Sequence, residues 1–366
     1  MTASIRVLVV DDSALVRQIL ARALSDDARI EIVGTARNGV EALEKAGALS
    51  PDVITLDVEM PQLDGIQVLR HLKKQSDARV VMLSSVDNAA TVFAALSLGA
   101  IDFVQKPSAG IAISIAELST ELGHKICTAA RVSPERAAAI ARGRRDSIAE
   151  GPHAGPVYRP AVPSREPGVS ICVGIAASTG GPPALETVFS GLSANLPAAY
   201  VVVQHLPEGF SASLARRLSS RTDISFVKAE SAMELESGCG YVAPYGSHLV
   251  VISDGAGIHR FSLLDTPSVH GVRPAADPML TSLAEQFGAG SVGVVLTGMG
   301  SDGAAGCSAI ALAGGEVIVQ DEETSIVWGM PHATQLAASP KRAYPIAAIS
   351  DRVRRAIRDR AGEGEG

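Results

Sequence analysis

Apolar residues in the first third of the chain gather in five short runs, at 5–10, 30–33, 53–56, 80–83 and 101–104. Between these runs apolar positions recur three and four apart, at about 14–24, 39–48, 65–74 and 88–98. A last pattern of that kind carries Ile111, Ile115, Leu118, Leu122 and Ile126. Short unbroken runs suit strands buried on both faces, and the three-and-four spacing suits helices with one buried stripe. Five strands alternating with helices predict a doubly wound parallel sheet.

A second alternation begins at Val169. VSICVGIA and AAYVVVQ read as buried strands, followed by the helical stretches PPALETVFSGL and GFSASLARRLSS. Shorter strands are expected near 224–228, 240–243, 248–252 and 258–263, then a helix near 276–287. SVGVVLT, a glycine loop, a helix at 304–313 and the strand EVIVQ follow. The fold class is therefore α/β, with two doubly wound parallel-sheet domains, one five-stranded and one larger and Rossmann-like.

Between them, residues 131–168 are rich in Pro, Gly and Arg, which marks a flexible tether whose Ala/Arg part has helical character. The expected organisation is a first domain over 1–125, a linker over 126–168, a second domain over 169–355 and a tail over 356–366. That tail, within RRAIRDRAGEGEG, reads as frayed and solvated.

Composition narrows the reading. Aromatic residues are 4% of the chain against 46% hydrophobic, so both cores rest on aliphatic side chains. Residues 1–130 hold 12 basic and 16 acidic residues, a net of −4, and residues 169–366 hold 13 and 19, a net of −6. The connector holds 7 and 4, a net of +3. Two acidic domains argue against nucleic acid as a partner, since phosphate contacts need a basic face. The cysteines at 127, 172, 239 and 307 form no C-x-x-C and read as buried, reduced thiols of a cytosolic protein. The run Ile5–Val10 is too short for a signal peptide or a membrane span, so no direct membrane insertion is expected.

Three carboxylates stand at predicted strand ends: Asp11 and Asp12 after the first strand, Asp57 after the third. Carboxyl-side strand ends of a parallel sheet converge on one crevice. Carboxylates gathered there repel one another unless a hard cation joins them, and Mg²⁺ takes such oxygens. Ser84 ends the fourth strand with a hydroxyl, and Lys106 follows the fifth with a cation. An ionised Asp can accept a phosphoryl group as an acyl phosphate. Any one of these acids alone reads equally well as a turn former or helix cap.

In the second domain, Ser178 lies between a strand and a helix opened by prolines, in A-A-S-T-G. The string lacks the first glycine of the G-x-S-x-G elbow, and a glycine turn for a nucleotide phosphate would read similarly. His205 directly follows the next strand, and Asp302 lies in TGMGSDGAAG beyond the strand VGVVL. A serine nucleophile needs a base, and the base needs a carboxylate to fix its tautomer. Seven further histidines exist, and Asp302 by itself is as readily a turn former. The order Ser, His, Asp differs from those of the familiar serine hydrolases, which points to a separate fold. No spacing argues for zinc.

The strings VVDDS, LDVEMPQLDG, MLSS and FVQKP resemble the response-regulator receiver domain in order and spacing over 1–125. GIAASTGGPPAL, VVVQHLPEGF, GYVAPYGSHLVV, RPAADPML, VVLTGMGSDGAAG and VIVQDEETSIVWGMP resemble the protein-glutamate methylesterase domain of bacterial chemotaxis over 169–350.

The receiver resemblance implies Mg²⁺ held by Asp11, Asp12 and Asp57, with Asp57 phosphorylated by a chemotaxis-type histidine kinase. It makes Ser84 and Lys106 reporters of the phosphate and puts Phe103 at the aromatic switch position, where it reads equally well as an ordinary packed aromatic. The methylesterase resemblance implies Ser178 as nucleophile, His205 as base and Asp302 as its orienter. Thr179, Gly180 and the backbone near Met299 then shape an oxyanion site, and the esterase needs no cofactor. The implied substrates are methyl-accepting chemoreceptors, demethylated at glutamate and deamidated at glutamine in the cytoplasm. The implied gating has the unphosphorylated receiver covering the esterase cleft. Val272 and Ala275 depart from the family's HRPSVD-like segment, which puts substrate preference rather than chemistry in question. Two other readings remain at this point: a receiver joined to a nucleotide-binding module, and a degenerate esterase that only binds other proteins.

Overall fold

The computed structural model describes residues 4–85, 88–106, 114–133, 168–255, 257–340 and 342–362, with backbone alone for 114–117. The chain divides into two units, Met1–Asp146 and Ser147–Gly366. The linker expected from residue 126 is corrected at its start, since 126–131 finish the helix Ser114–Arg131 with Ile126 and Ala129 buried; the rest of 126–168, with its helical Ala/Arg part, lies outside the described residues except at 132–133 and 168. Ile111 and the side chain of Ile115 lie outside them too.

In the first unit, β1 (Ile5–Val10), β2 (Ile30–Ala36), β3 (Val53–Asp57), β4 (Arg79–Ser84) and β5 (Asp102–Gln105) pair in parallel, in the order β2-β1-β3-β4-β5. The intervening helices are α1 (Ala14–Ser25), α2 (Gly39–Leu49), α3 (Gly65–Gln75) and α4 (Ala89–Ser97), and α5 (Ser114–Arg131) follows β5. The first three start where a polar side chain answers a free backbone N–H: Ser13, Asn38 and Asp64 each accept from the residue three ahead. The chain moves from β1 outward to β2 and then back across to β3. That reversal opens a crevice between the carboxyl ends of β1 and β3.

Among its described residues the second unit has seven parallel strands. They are β6 (Cys172–Ala177), β7 (Ala199–Gln204), β8 (Ser225–Lys228), β9 (Cys239–Val242), β12 (Ser291–Val295), β13 (Glu316–Gln320) and β14 (Ala343–Tyr344). Their order is β14-β13-β12-β6-β7-β9-β8, so the direction reverses between β6 and β12. The strands expected near 248 and 258 are present as β10 (His248–Ser253) and β11 (His259–Leu264), but they form a separate antiparallel hairpin. Leu249, Val251 and Phe261 are buried while Ile252 is exposed, the alternation of a hairpin with one face on the core.

The helices of this unit are α6 (Gly181–Ser190), α7 (Phe210–Arg221), α8 (Ala276–Phe287), α9 (Ala304–Leu312), α10 (Met330–Ala338) and α11 (Ile346–Ala361). The tail expected from residue 356 is corrected by α11. Ile349, Val353, Ala356 and Ile357 form one fully buried stripe of that helix. Arg354, Arg355, Arg358 and Arg360 dominate the same stretch and hide the stripe when the string is read for charge. Arg360 is itself tied down, donating to the carbonyl of Ala289. Cys127, Cys172 and Cys307 are buried free thiols as expected, whereas Cys239 is half-exposed. Among the described residues no helix is long and apolar enough to cross a membrane.

Candidate functional site

The first crevice collects what the strand ends carry. Lys106 Nζ lies 2.7 Å from Asp11 Oδ2 and 2.7 Å from Asp57 Oδ2. Asp11 and Asp57 are buried and Asp12 is exposed, and one oxygen of each lies within 4.8 Å of the others. Arg17 donates to the carbonyls of Asp11 and Asp12, which holds the turn after β1. Burial pushes the Asp57 carboxyl up to about 6; the Lys106 ammonium opposes this and the Asp11 charge adds to it. An all-oxygen donor set with one exposed, solvated side fits Mg²⁺. Ser84 is buried at the end of β4 and donates to the carbonyl of Ser85. Phe103 is buried, with Lys125 Nζ 5.3 Å from its ring centre.

The second crevice lies where strand order reverses beside β6. Ser178 follows β6, His205 follows β7 and Asp302 lies in the loop after β12. His205 Nδ1 is 3.1 Å from Ser178 Oγ, and its Nε2 is 2.8 Å from Asp302 Oδ2. An ionised carboxylate only accepts, so Nε2 carries the hydrogen and Nδ1 is left as the acceptor for the serine hydroxyl. Asp302 is 1% exposed, and its oxygens also accept from the backbone N–H of Ala276 and Asp277. Burial alone would raise its pKa; the His205 hydrogen bond and charge, with the two N–H groups, outweigh burial and hold the carboxyl below its ordinary value.

A buried amide scaffold shapes the turn at Ser178. Ser178 N–H donates to Thr297 O, and Ser178 O accepts from Gly181 N–H and from Gln204 Nε2. Gln204 Nε2 also donates to His205 O at 3.1 Å, so one side chain fixes nucleophile and base together. Thr297 Oγ1 donates to Thr179 O, and Thr297 N–H donates to Gln320 Oε1. Gly180 sits at φ +78°, where a Cβ would meet Ile326 at 2.7 Å. Met299 is 44% exposed on the loop whose Gly298 carbonyl accepts from the N–H groups of Gly329 and Met330.

Of the described histidines, His205 is the one bonded to Ser178. His248 is fully buried and spans Pro267 O and Ala275 N, His259 stacks on Phe287, and His332 stacks on Trp328. Ala275 is buried against that histidine, and Val272 pairs with Val269 in a tight turn. Gln204, Thr297, Gln320, His270 and Asp277 escaped the sequence reading. A glutamine immediately before His205 in an otherwise apolar strand was the available signal for the first. The others are brought to the site from distant segments.

Residues 173–353 match the family described as CheB methylesterase, and residues 7–116 match the response regulator receiver domain. The chain is 42% identical over 362 residues to a protein-glutamate methylesterase/protein-glutamine glutaminase of Pyrococcus abyssi, covering 98% of this chain and 95% of the relative. It is 41% identical over 369 residues to a relative of the same description from Symbiobacterium thermophilum, covering 98% of each. Among solved structures it is similar to the Thermotoga maritima CheB methylesterase catalytic domain. That match has 36% identity and a TM-score of 0.50, over 51% of this chain and 98% of the other.

Proposed function

The chain belongs to the CheB methylesterase family, with an N-terminal receiver domain, and on that premise we propose that a Ser178–His205–Asp302 triad does its hydrolysis and that phosphorylation of Asp57 raises the rate. As a protein-glutamate methylesterase/protein-glutamine glutaminase it hydrolyses side-chain esters and amides of proteins. Its substrates in this reading are methyl-accepting chemoreceptors, reached from the cytoplasm.

The observation that carries the reading is the 3.1 Å and 2.8 Å relay from Ser178 Oγ through His205 to Asp302. His205 Nδ1 takes the hydroxyl proton as Ser178 Oγ adds to the ester carbonyl. Asp302 keeps the other ring hydrogen in place and answers the imidazolium charge. The proton on Nδ1 then goes to the departing methanol, or to ammonia when the substrate is a glutamine. Water, deprotonated by the same nitrogen, releases the glutamate from Ser178.

The turn at Thr179 and Gly180, with the backbone near Met299, would shape the oxyanion site. Pro182 and Pro183 have no N–H, and the Gly181 N–H is committed to Ser178 O. A nucleotide phosphate at this turn would need N–H groups at the start of α6, where the two prolines have none and that of Gly181 is committed.

In the receiver, Asp11, Asp12 and Asp57 would hold Mg²⁺, which supplies charge neutralisation for phosphoryl transfer when bound. Lys106, between Asp11 and Asp57, is placed to answer the roughly −2 charge that phosphorylation adds. A chemotaxis-type histidine kinase is the phosphodonor in this reading. Methanol release from a methylated receptor, followed with and without a small phosphodonor, tests both halves: no release rejects the esterase, and equal release rejects the switch.

A further inference from the structure

Beside the first imidazole–carboxylate pair stands a second. His270 Nε2 lies 2.7 Å from Asp277 Oδ2, and side-chain ligand atoms of His270, Asp277 and Asp302 all fall within 4.8 Å of one another. Asp277 is buried, while the His270 side chain keeps 37% of its exposure. None of the steps assigned to the hydrolysis uses either residue.

The bonds around the pair form a closed clasp. Asp302 accepts the N–H groups of Ala276 and Asp277, at the start of α8. In return Asp277 Oδ1 accepts the N–H of Gly306 at 2.8 Å, at the start of α9. Each carboxylate thus satisfies the open N-terminus of the helix that carries or follows the other. The helices approach closely at Gly306, where a Cβ would lie 2.5 Å from Leu280 Cβ.

His270 completes the ring. With its Nε2 hydrogen on Asp277, Nδ1 is the acceptor facing Ser301 Oγ at 3.4 Å. Ser301 and Gly306 flank Asp302 along the chain, so the clasp grips the Asp302 loop on both sides. His270 has φ +53°, a left-handed conformation that persists in a non-glycine residue only where its surroundings hold it.

We infer that His270 and Asp277 are positioning residues that hold Asp302 in register with His205. The inference rests on the triad reading, since it acts through Asp302. It makes the 301–306 loop a rigid part of the catalytic apparatus, with Ser301 as its latch.

The test uses the full chain with a receptor fragment carrying glutamate methyl esters, and reads methanol release. In His270→Ala, kcat falls about tenfold while KM stays within about twofold, because orientation rather than substrate contact is lost. Labelling of Ser178 by a fluorophosphonate slows in parallel. His270→Gln, whose amide N–H reaches Asp277, recovers most of kcat. Unchanged kcat in His270→Ala overturns the inference. So does a rise in KM with kcat retained, which would make His270 a substrate contact, and so does a failure of Gln to rescue. Ser178→Ala is run alongside: methanol release persisting in that variant rejects the triad itself, whatever the His270 variants do.

Discussion

His205 presents Nδ1 to Ser178 Oγ and turns Nε2 to Asp302. The ring is thereby used in the sense opposite to that of the chymotrypsin arrangement, where Nε2 faces the serine. The cause is where the strands put the residues. His205 leaves β7 with its backbone N–H donating to Ala177 O, one residue before Ser178. The ring nitrogen nearer its backbone therefore meets the neighbouring turn, and the farther one reaches across to the loop after β12.

Groups in one relay fail together. Ser178→Ala is expected to abolish methanol release, and the double variant Ser178→Ala/His205→Ala to be no worse than the single one. Single-turnover measurements on the variants check this. Independent, additive losses would mean that the two side chains do not act as a unit.

Asp57→Asn removes the acceptor carboxylate from the pocket of Asp11 and Lys106. Basal esterase activity should survive, and stimulation by acetyl phosphate with Mg²⁺ should vanish. Rates measured with and without the phosphodonor decide it; stimulation in the variant would place the switch elsewhere.

Gln204→Leu fills similar space but withdraws the donors to Ser178 O and His205 O. Ser178 O keeps the Gly181 N–H, so the loss is that of two part-buried hydrogen bonds, about 0.5–1.5 kcal/mol each. Denaturant melts should show a loss of that order in the second unit. Turnover should fall as well, because nucleophile and base lose their shared anchor. A stable variant with full kcat would assign Gln204 no part in holding them.

The lowered pKa of Asp302 has a pH signature. Its folded carboxyl gives up its proton more readily than the unfolded one, so the unfolded state binds the proton first as pH falls. The resulting stability is complete above roughly pH 4, the ordinary carboxylate value, and is lost as pH drops through the folded value. The stability gap between the native chain and Asp302→Asn, from urea melts at several pH values, should therefore narrow on acidification. A gap independent of pH would show that the ionised form is not the one stabilised.

Much of each site was legible in the linear string. Asp11 with Asp12, Asp57 and Ser84 in the first domain, and Ser178 and His205 in the second, follow short apolar runs, and each parallel sheet sends its own strand ends to one edge. Strand and helix periods fix that edge locally, through side-chain burial, without reference to partners far along the chain. The separate hairpin β10–β11 was not legible, because a short half-apolar strand has the same pattern whether it joins the main sheet or pairs alone. The helix α11 was hidden for a related reason: its arginines dominate the string, and its buried stripe acquires meaning only from the surface it covers.

What the sequence by itself determined is the two α/β domains and the chemistry available at their strand ends. Only the tertiary structure decided which nitrogen of His205 faces Ser178, that Gln204, Thr297 and Gln320 hold the turn, and that Asp277 and Asp302 each cap the other's helix. These depend on contacts between segments more than 20 residues apart, such as Ala276 N–H with Asp302, Gln204 with Ser178 and Thr297 with Gln320. The geometry of such contacts is set by helix packing on the sheet, and no local period encodes it.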